Sequence, residues 1–264
     1  MSKSANLCRF AILLTCLLGL RMDAAAQPLV GSAAPNFTLN FSNGGSFTLS
    51  SLLGEVVHLN FFGATCGDCI ADGLLSEEIY DLFATNTAFN IIGIDVWNLP
   101  AAYVNTTFRT NSGITYPLLV QGRNTAIAYN MEVNPVPSTT DIEHRGHVII
   151  DQQGIIRYYA IYNPFDETQQ AEMICVIKNL LGIAPPPPQN AAIIRMDEFG
   201  PLKLCWQPAV EPEGCDMRYL VFKSFAGDWS DEEFVTSTFE TAIMLTSFPD
   251  STCIFHVVAE RQMP

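Results

Sequence analysis

Cys66 and Cys69 stand two residues apart in NFFGATCGDC, residues 60–69, directly after an apolar run. Thiols at that spacing have three chemical uses. They can cycle as a redox pair, share a metal ion with further ligands, or staple a short loop. The redox use needs a thiolate, which attacks a disulfide sulfur; the second cysteine then resolves the mixed disulfide. A structural zinc site needs about four ligands. No second C-x-x-C follows, and His58, His144 and His147 form no pair at ligand spacing. A loop this short gains little stability from closure.

The flanking elements favour the redox use. Glu55–Phe62 (EVVHLNFF) reads as a strand, and residues 68–84 carry Ile70, Leu74, Leu75, Ile79, Leu82 and Phe83 at helical spacing. Cys66 is thereby expected at a helix N-terminus, where free N–H groups and the helix dipole stabilise a thiolate. Around this unit the pattern alternates. Segments 37–39 and 47–49 form a hairpin about Asn43-Gly44-Gly45. Asn90–Trp97 is a near-continuous apolar strand, and Pro100–Thr110 a helix. Tyr116–Gln121 is a strand and Asn124–Tyr129 a short helix. His147–Asp151 and Gly154–Tyr159 form a second hairpin, and Asp166–Leu181 a closing helix stopped by Gly182. Strands alternating with helices define an α/β domain.

The ends of the chain differ from this middle. Residues 1–26 combine Lys3 and Arg9, an apolar stretch from Phe10 to Leu20, and Ala24-Ala25-Ala26. Those are the three parts of a signal peptide, with an uncleaved anchor as the alternative. An exported chain without a further membrane-spanning segment is expected, in the periplasm or outside the cell. The expected α/β domain runs over 27–184, a stiff polyproline linker over 185–188 and an all-β module over 189–264. A net charge of -14 argues against a nucleic-acid partner. Of eight cysteines, Cys8 and Cys16 fall in the leader, and export lets the other six form disulfides. Cys175 reads as a buried helix residue. The module holds Cys205, Cys215 and Cys253, an odd number, so one stays free or pairs with Cys175.

NFFGATCGDC resembles the NFWATWCGPC-type active site of the TlpA/ResA-like branch of the thioredoxin superfamily. Pro35-Asn36-Phe37 with GGSFTLSSLLGEVVHLNFF resembles that branch's entry, NIIGIDV its second core strand and HVIIDQQGIIRYY its closing hairpin. The resemblance covers about residues 30–182. It implies a thioredoxin-like fold with Cys66 and Cys69 as catalytic residues, flanked by Thr65, Gly67 and Asp68. It also implies a protein disulfide or dithiol as substrate, a membrane or periplasmic electron donor, and no metal or organic cofactor.

Several positions depart from the branch. Thr65 replaces its Trp. Asp68 replaces its Pro, and a carboxylate there disfavours a neighbouring thiolate and should make the pair more reducing. The cis-proline expected before the closing hairpin is replaced by Arg145-Gly146, with Pro135 and Pro137 lying earlier. Arg-Gly at this place resembles peroxiredoxins, so Arg145 is either an active-site neighbour or a solvated loop charge. Asn60 resembles the branch, His58 reads as half-buried, and Trp97 as core or rim packing.

Leu202–Pro208 (LKLCWQP), Tyr219–Lys223 (YLVFK) and Phe255–Glu260 (FHVVAE) resemble strands of fibronectin type III modules, here either truncated or minimal. Three functions follow as expectations: an exported thiol–disulfide oxidoreductase, a peroxiredoxin-like peroxidase, or a binding protein on a redox scaffold.

Overall fold

A computed structural model of the chain describes residues 29–133, 141–142, 144–161, 165–196, 201–226, 228–245 and 253–262. The expected signal peptide, Pro135 and Pro137 lie outside the described residues.

A seven-stranded mixed sheet dominates the first part. Its strands are β1 (Thr38–Phe41), β2 (Ser46–Thr48), β3 (Val56–Phe62), β4 (Phe89–Asp95), β5 (Leu118–Val120), β8 (Gly146–Ile150) and β9 (Ile156–Ile161). Their spatial order is β2-β1-β5-β4-β3-β8-β9. A two-stranded pair, β6 (Glu132–Val133) and β7 (Asp141–Ile142), stands apart from it. β3 runs parallel to β4 and antiparallel to β8, so it is hydrogen-bonded on both edges.

Four helices cover the sheet: α1 (Gly67–Phe83), α2 (101–112), α3 (Arg123–Ala128) and α4 (Glu167–Leu180). α2 is widened to π turns over Val104–Arg109. Because Cβ atoms alternate along a strand, β3 feeds two cores. Val56 and Phe62 pack on the α1, α2 and α4 side with Ile79, Phe108 and Met173. Val57, Leu59 and Phe61 pack on the other with Ile94, Tyr129 and Val148. All seven residues of β3 are buried, which fixes the strand from which the cysteine loop springs. α1 approaches α2 closely at Gly73, where an added Cβ would lie 2.4 Å from Ser112 Cβ.

The second part is all β. One sheet joins β10 (Gln189–Arg195), β11 (Leu202–Gln207) and β14 (Ala242–Leu245). The other joins β13 (Glu233–Thr238), β12 (Met217–Ser224) and β15 (Ile254–Arg261). Leu204, Trp206, Tyr219, Val221, Val257 and Ala259 make one shared core, as in two sheets packed face to face.

The two parts are clamped together. Cys175 of α4 is disulfide-bonded to Cys215. Cys175 is thus buried as its helix pattern predicts, and it is the partner of one of the three module cysteines. Cys205 and Cys253 carry free thiols. Lys178 Nζ lies 2.6 Å from Glu213 Oε2. Arg261 pairs with the buried carboxylate of Glu211 and donates to the Ile183 carbonyl. Among the described residues no helix is long and apolar enough to cross a membrane.

Candidate active site

The chain leaves β3 at Phe62, turns through Gly63–Thr65 and enters α1. Cys66 is the N-cap of α1, with extended backbone at φ -73 and ψ 120. Its Sγ accepts a hydrogen bond from the Cys69 N–H at 3.1 Å. The sulfur therefore satisfies one of the helix's orphan donors, where a capping oxygen would sit in most helices. A charge developing on that sulfur meets an aligned N–H and the positive end of a 17-residue helix.

Cys69 lies one turn on. Its thiol donates to the main-chain oxygen of His144 at 3.4 Å. Burial pushes that thiol well above the ordinary cysteine range, and the contact with Cys66 adds to the effect. Both cysteines are buried, at 7% and 4% exposure. The two sulfurs thus sit in different settings: one caps a helix, the other is held as a thiol under the 144–146 loop.

That loop is pinned by Arg145. Nε donates to Asp72 Oδ2 and Nη2 to Asp72 Oδ1, both at 2.9 Å, and Nη1 reaches Asp68 Oδ2 at 3.5 Å. Arg145 is therefore a neighbour of the cysteine pair, engaged with two carboxylates one turn apart on α1. The Asp68 charge does not face the cysteines uncompensated, because Arg145 lies against it. Burial raises the Asp72 carboxyl, an effect that the bonds from Arg145 oppose.

Asp95, at the end of β4, holds the loop from below. Its Oδ1 accepts from the Ala64 N–H at 3.1 Å and its Oδ2 from the Leu99 N–H at 2.8 Å. Burial raises its carboxyl, and these main-chain donors pull it back. Trp97 packs over Gly63, where an added Cβ would stand 2.6 Å from the indole. The same indole lies 4.7 Å, ring to ring, from His144. Trp97 is 37% exposed, a rim residue as expected.

Beneath the loop the helix-covered face of β3 carries two polar residues, His58 and Asn60, between apolar Val56 and Phe62. Asn60 Nδ2 donates to Tyr116 Oη at 2.7 Å, and Ser76 Oγ lies 3.0 Å from the same oxygen. His58 and His147 face each other, with Nε2 and Nδ1 3.1 Å apart. His58 is fully buried, not half-buried as its sequence position suggests, because helices cover the face that strand parity would leave open.

Of the residues expected at the site, Cys66, Gly67, Asp68, Cys69 and Arg145 come together, and exposed Thr65 immediately precedes the pair. Three residues were not foreseen there. His144 is 75 positions from Cys69, and Asp72 and Asp95 gain meaning only through their partners. The spacing of Asp68 and Asp72, one helical turn apart, is the sole local signal.

A mixed sheet with a C-x-x-C pair at the end of an inner strand defines a thioredoxin-like domain. Residues 30–159 match the model of the AhpC/TSA family, and that stretch is an AhpC/TSA thioredoxin-like domain. The thiol-disulfide oxidoreductase ResA of Geobacillus kaustophilus is 32% identical over 120 residues, covering 45% of this chain and 66% of that protein. The ResA of Bacillus subtilis is also 32% identical, covering 45% of this chain and 64% of its own length. The similarity thus spans just under two thirds of either relative. A thiol:disulfide interchange protein from Chlorobium tepidum superposes with a TM-score of 0.45 at 24% identity, over 57% of this chain and 96% of its own.

Proposed function

We propose that the protein is an exported thiol–disulfide oxidoreductase of the ResA/TlpA kind that reduces disulfides of envelope proteins. The observation that carries this reading is the Cys66 sulfur at the α1 N-cap with the Cys69 N–H aimed at it. The Cys66 thiolate attacks one sulfur of a substrate disulfide. A mixed disulfide forms, and the leaving substrate thiolate takes up a proton. Cys69 then gives up its proton and attacks Cys66 Sγ. The second substrate thiol leaves, and the pair is left oxidised. Two electrons have passed to the substrate, and a membrane or periplasmic dithiol donor must return them.

The ResA relatives support this reading, as does the leader-like composition of residues 1–26. A peroxidase reading would need Arg145 to serve peroxide, and its guanidinium is engaged with Asp72 and Asp68. The all-β part reads as a fibronectin type III-like tether. Its strand orders β10-β11-β14 and β13-β12-β15 support that reading.

The test equilibrates the protein in defined thiol buffers, reads the pair by alkylation and mass, and follows insulin reduction. The expected outcome is a reversible Cys66–Cys69 couple near the thioredoxin potential of about -270 mV. Cys69→Ser should accumulate a mixed disulfide on Cys66. A pair that never oxidises to a disulfide would overturn the reading.

A further inference from the structure

The loop before β8 brings a third metal-ligating side chain to the cysteine pair. The Sγ atoms of Cys66 and Cys69 and an imidazole nitrogen of His144 all lie within 4.8 Å of one another. Donors about 2.0–2.3 Å from one ion stand roughly 3.5–4 Å apart in a trigonal set. Small side-chain rotations close the gap. We propose that Cys66, Cys69 and His144 form a binding site for a soft, thiophilic metal ion, Cu(I), when the pair is reduced.

Three further features make this a built site. The Trp97 indole packs on the His144 ring at 4.7 Å and restricts its orientation. Arg145 anchors the loop to Asp72 one residue from His144. It also engages Asp68 and Asp72, the nearby hard carboxylate donors, leaving two sulfurs and one imidazole. Thiolates select Cu(I) and zinc over harder ions. Zinc completes its shell with a fourth ligand, whereas among the described residues the donor group here has three members. A three-donor set at a buried position suits Cu(I). Binding forms two Cu–S bonds and one Cu–N bond, expels the two thiol protons and changes no oxidation state.

The site uses the same reduced pair as the proposed exchange chemistry but does not depend on that chemistry. The test titrates the reduced full-length protein with Cu(I) under anaerobic competition from a chromophoric chelator. It then maps protected thiols by alkylation and mass. One equivalent is expected, protecting Cys66 and Cys69 while Cys205 and Cys253 stay reactive. X-ray absorption should show two sulfur neighbours and one nitrogen. His144→Ala and His144→Gln should each weaken Cu(I) at least about tenfold, the least that loss of even an outer partner costs. The proposal is overturned if Cu(I) protects Cys205 or Cys253 instead, if both His144 variants bind like the wild type, or if Zn(II) alone occupies the site. A protein that reduces insulin but ignores Cu(I) would sink this proposal alone. A protein whose pair holds Cu(I) but never cycles would sink only the oxidoreductase reading.

Discussion

Arg145 grips Asp72 with two parallel N–H···O bonds, both 2.9 Å long. The pair ties the loop before β8 to the second turn of α1, so both walls around the cysteines move as one. Both side chains are mostly buried, at 20% and 15% exposure, so solvent screens the pair only partly. Asp72→Ala should cost about 1.5–3 kcal/mol in urea unfolding, the range for hydrogen bonds to charged groups. Arg145→Lys should cost part of that amount, since lysine keeps the charge but cannot reproduce the fork. A cost below about 0.5 kcal/mol would place the pair among screened surface pairs.

The two cysteines should react in a fixed order. Burial and the contact with Cys66 hold Cys69 as a thiol. Iodoacetamide at pH 7 is expected to modify Cys66 first, by about tenfold or more in rate, since the thiolate is the reactive form. Peptide mapping at short times checks it. Equal rates would remove the asymmetry on which the order of attack rests.

Acid should destabilise the fold through the histidine pair. Burial lowers His58 well below the ordinary histidine range. Burial, aided by the Arg145 charge, lowers His147 to about 3. Below about pH 6.5 the unfolded chain takes up protons that the folded one refuses. Stability is therefore full above that pH and falls as the pH drops toward 3. Between pH 7 and 5 His147 should cost about 2 kcal/mol, and His58 acts in the same direction. Urea midpoints of wild type and His147→Phe at the two pH values isolate the effect. The variant should lose the His147 share of the wild-type slope.

Gly63 is where the loop and Trp97 compete for space. A Cβ there would meet the indole at 2.6 Å. Gly63→Ala should displace Trp97, shift its fluorescence to the red and cost about 1–3 kcal/mol, the usual penalty of overpacking. Adding Trp97→Ala should return part of that stability. If the double variant is no more stable than Gly63→Ala alone, the clash is not with the indole.

The clamp between the two parts should be measurable as stability. Cys215→Ala, or mild reduction, opens the bond that closes a 40-residue separation. The expected cost is about 2–4 kcal/mol. Lys178→Met should cost less, because Arg261 still holds Glu211. Thermal unfolding of the three forms, followed at one protein concentration, decides the ranking.

Much of this molecule is legible in the chain because its signals are local. EVVHLNFF and NIIGIDV are apolar enough to read as central strands. The C-x-x-C pair announces itself by spacing alone, and its place before a helix follows from periodicity. What escaped notice depends on distance. His144 joins the pair only because β8 lies beside β3. Asp95 matters because β4 ends beneath the loop, and nothing within DVWNLP says so. β10, Gln189–Arg195, was missed for another reason: all seven of its residues are exposed, so no alternation marks it. β13 and β14 are short and half-solvated, and read as turn-rich sequence. The Pro100 helix was legible, but its π turns were not, since they depend on how Val104 and Phe108 seat in the core.

The bond between Cys175 and Cys215 also has a direction in time. Cys215 is made 40 residues after its partner. By then every strand of the seven-stranded sheet has been synthesised. The clamp therefore joins the all-β part to a domain whose own chain is already complete, and a cut between residues 175 and 215 would leave the two parts covalently linked until the bond is reduced.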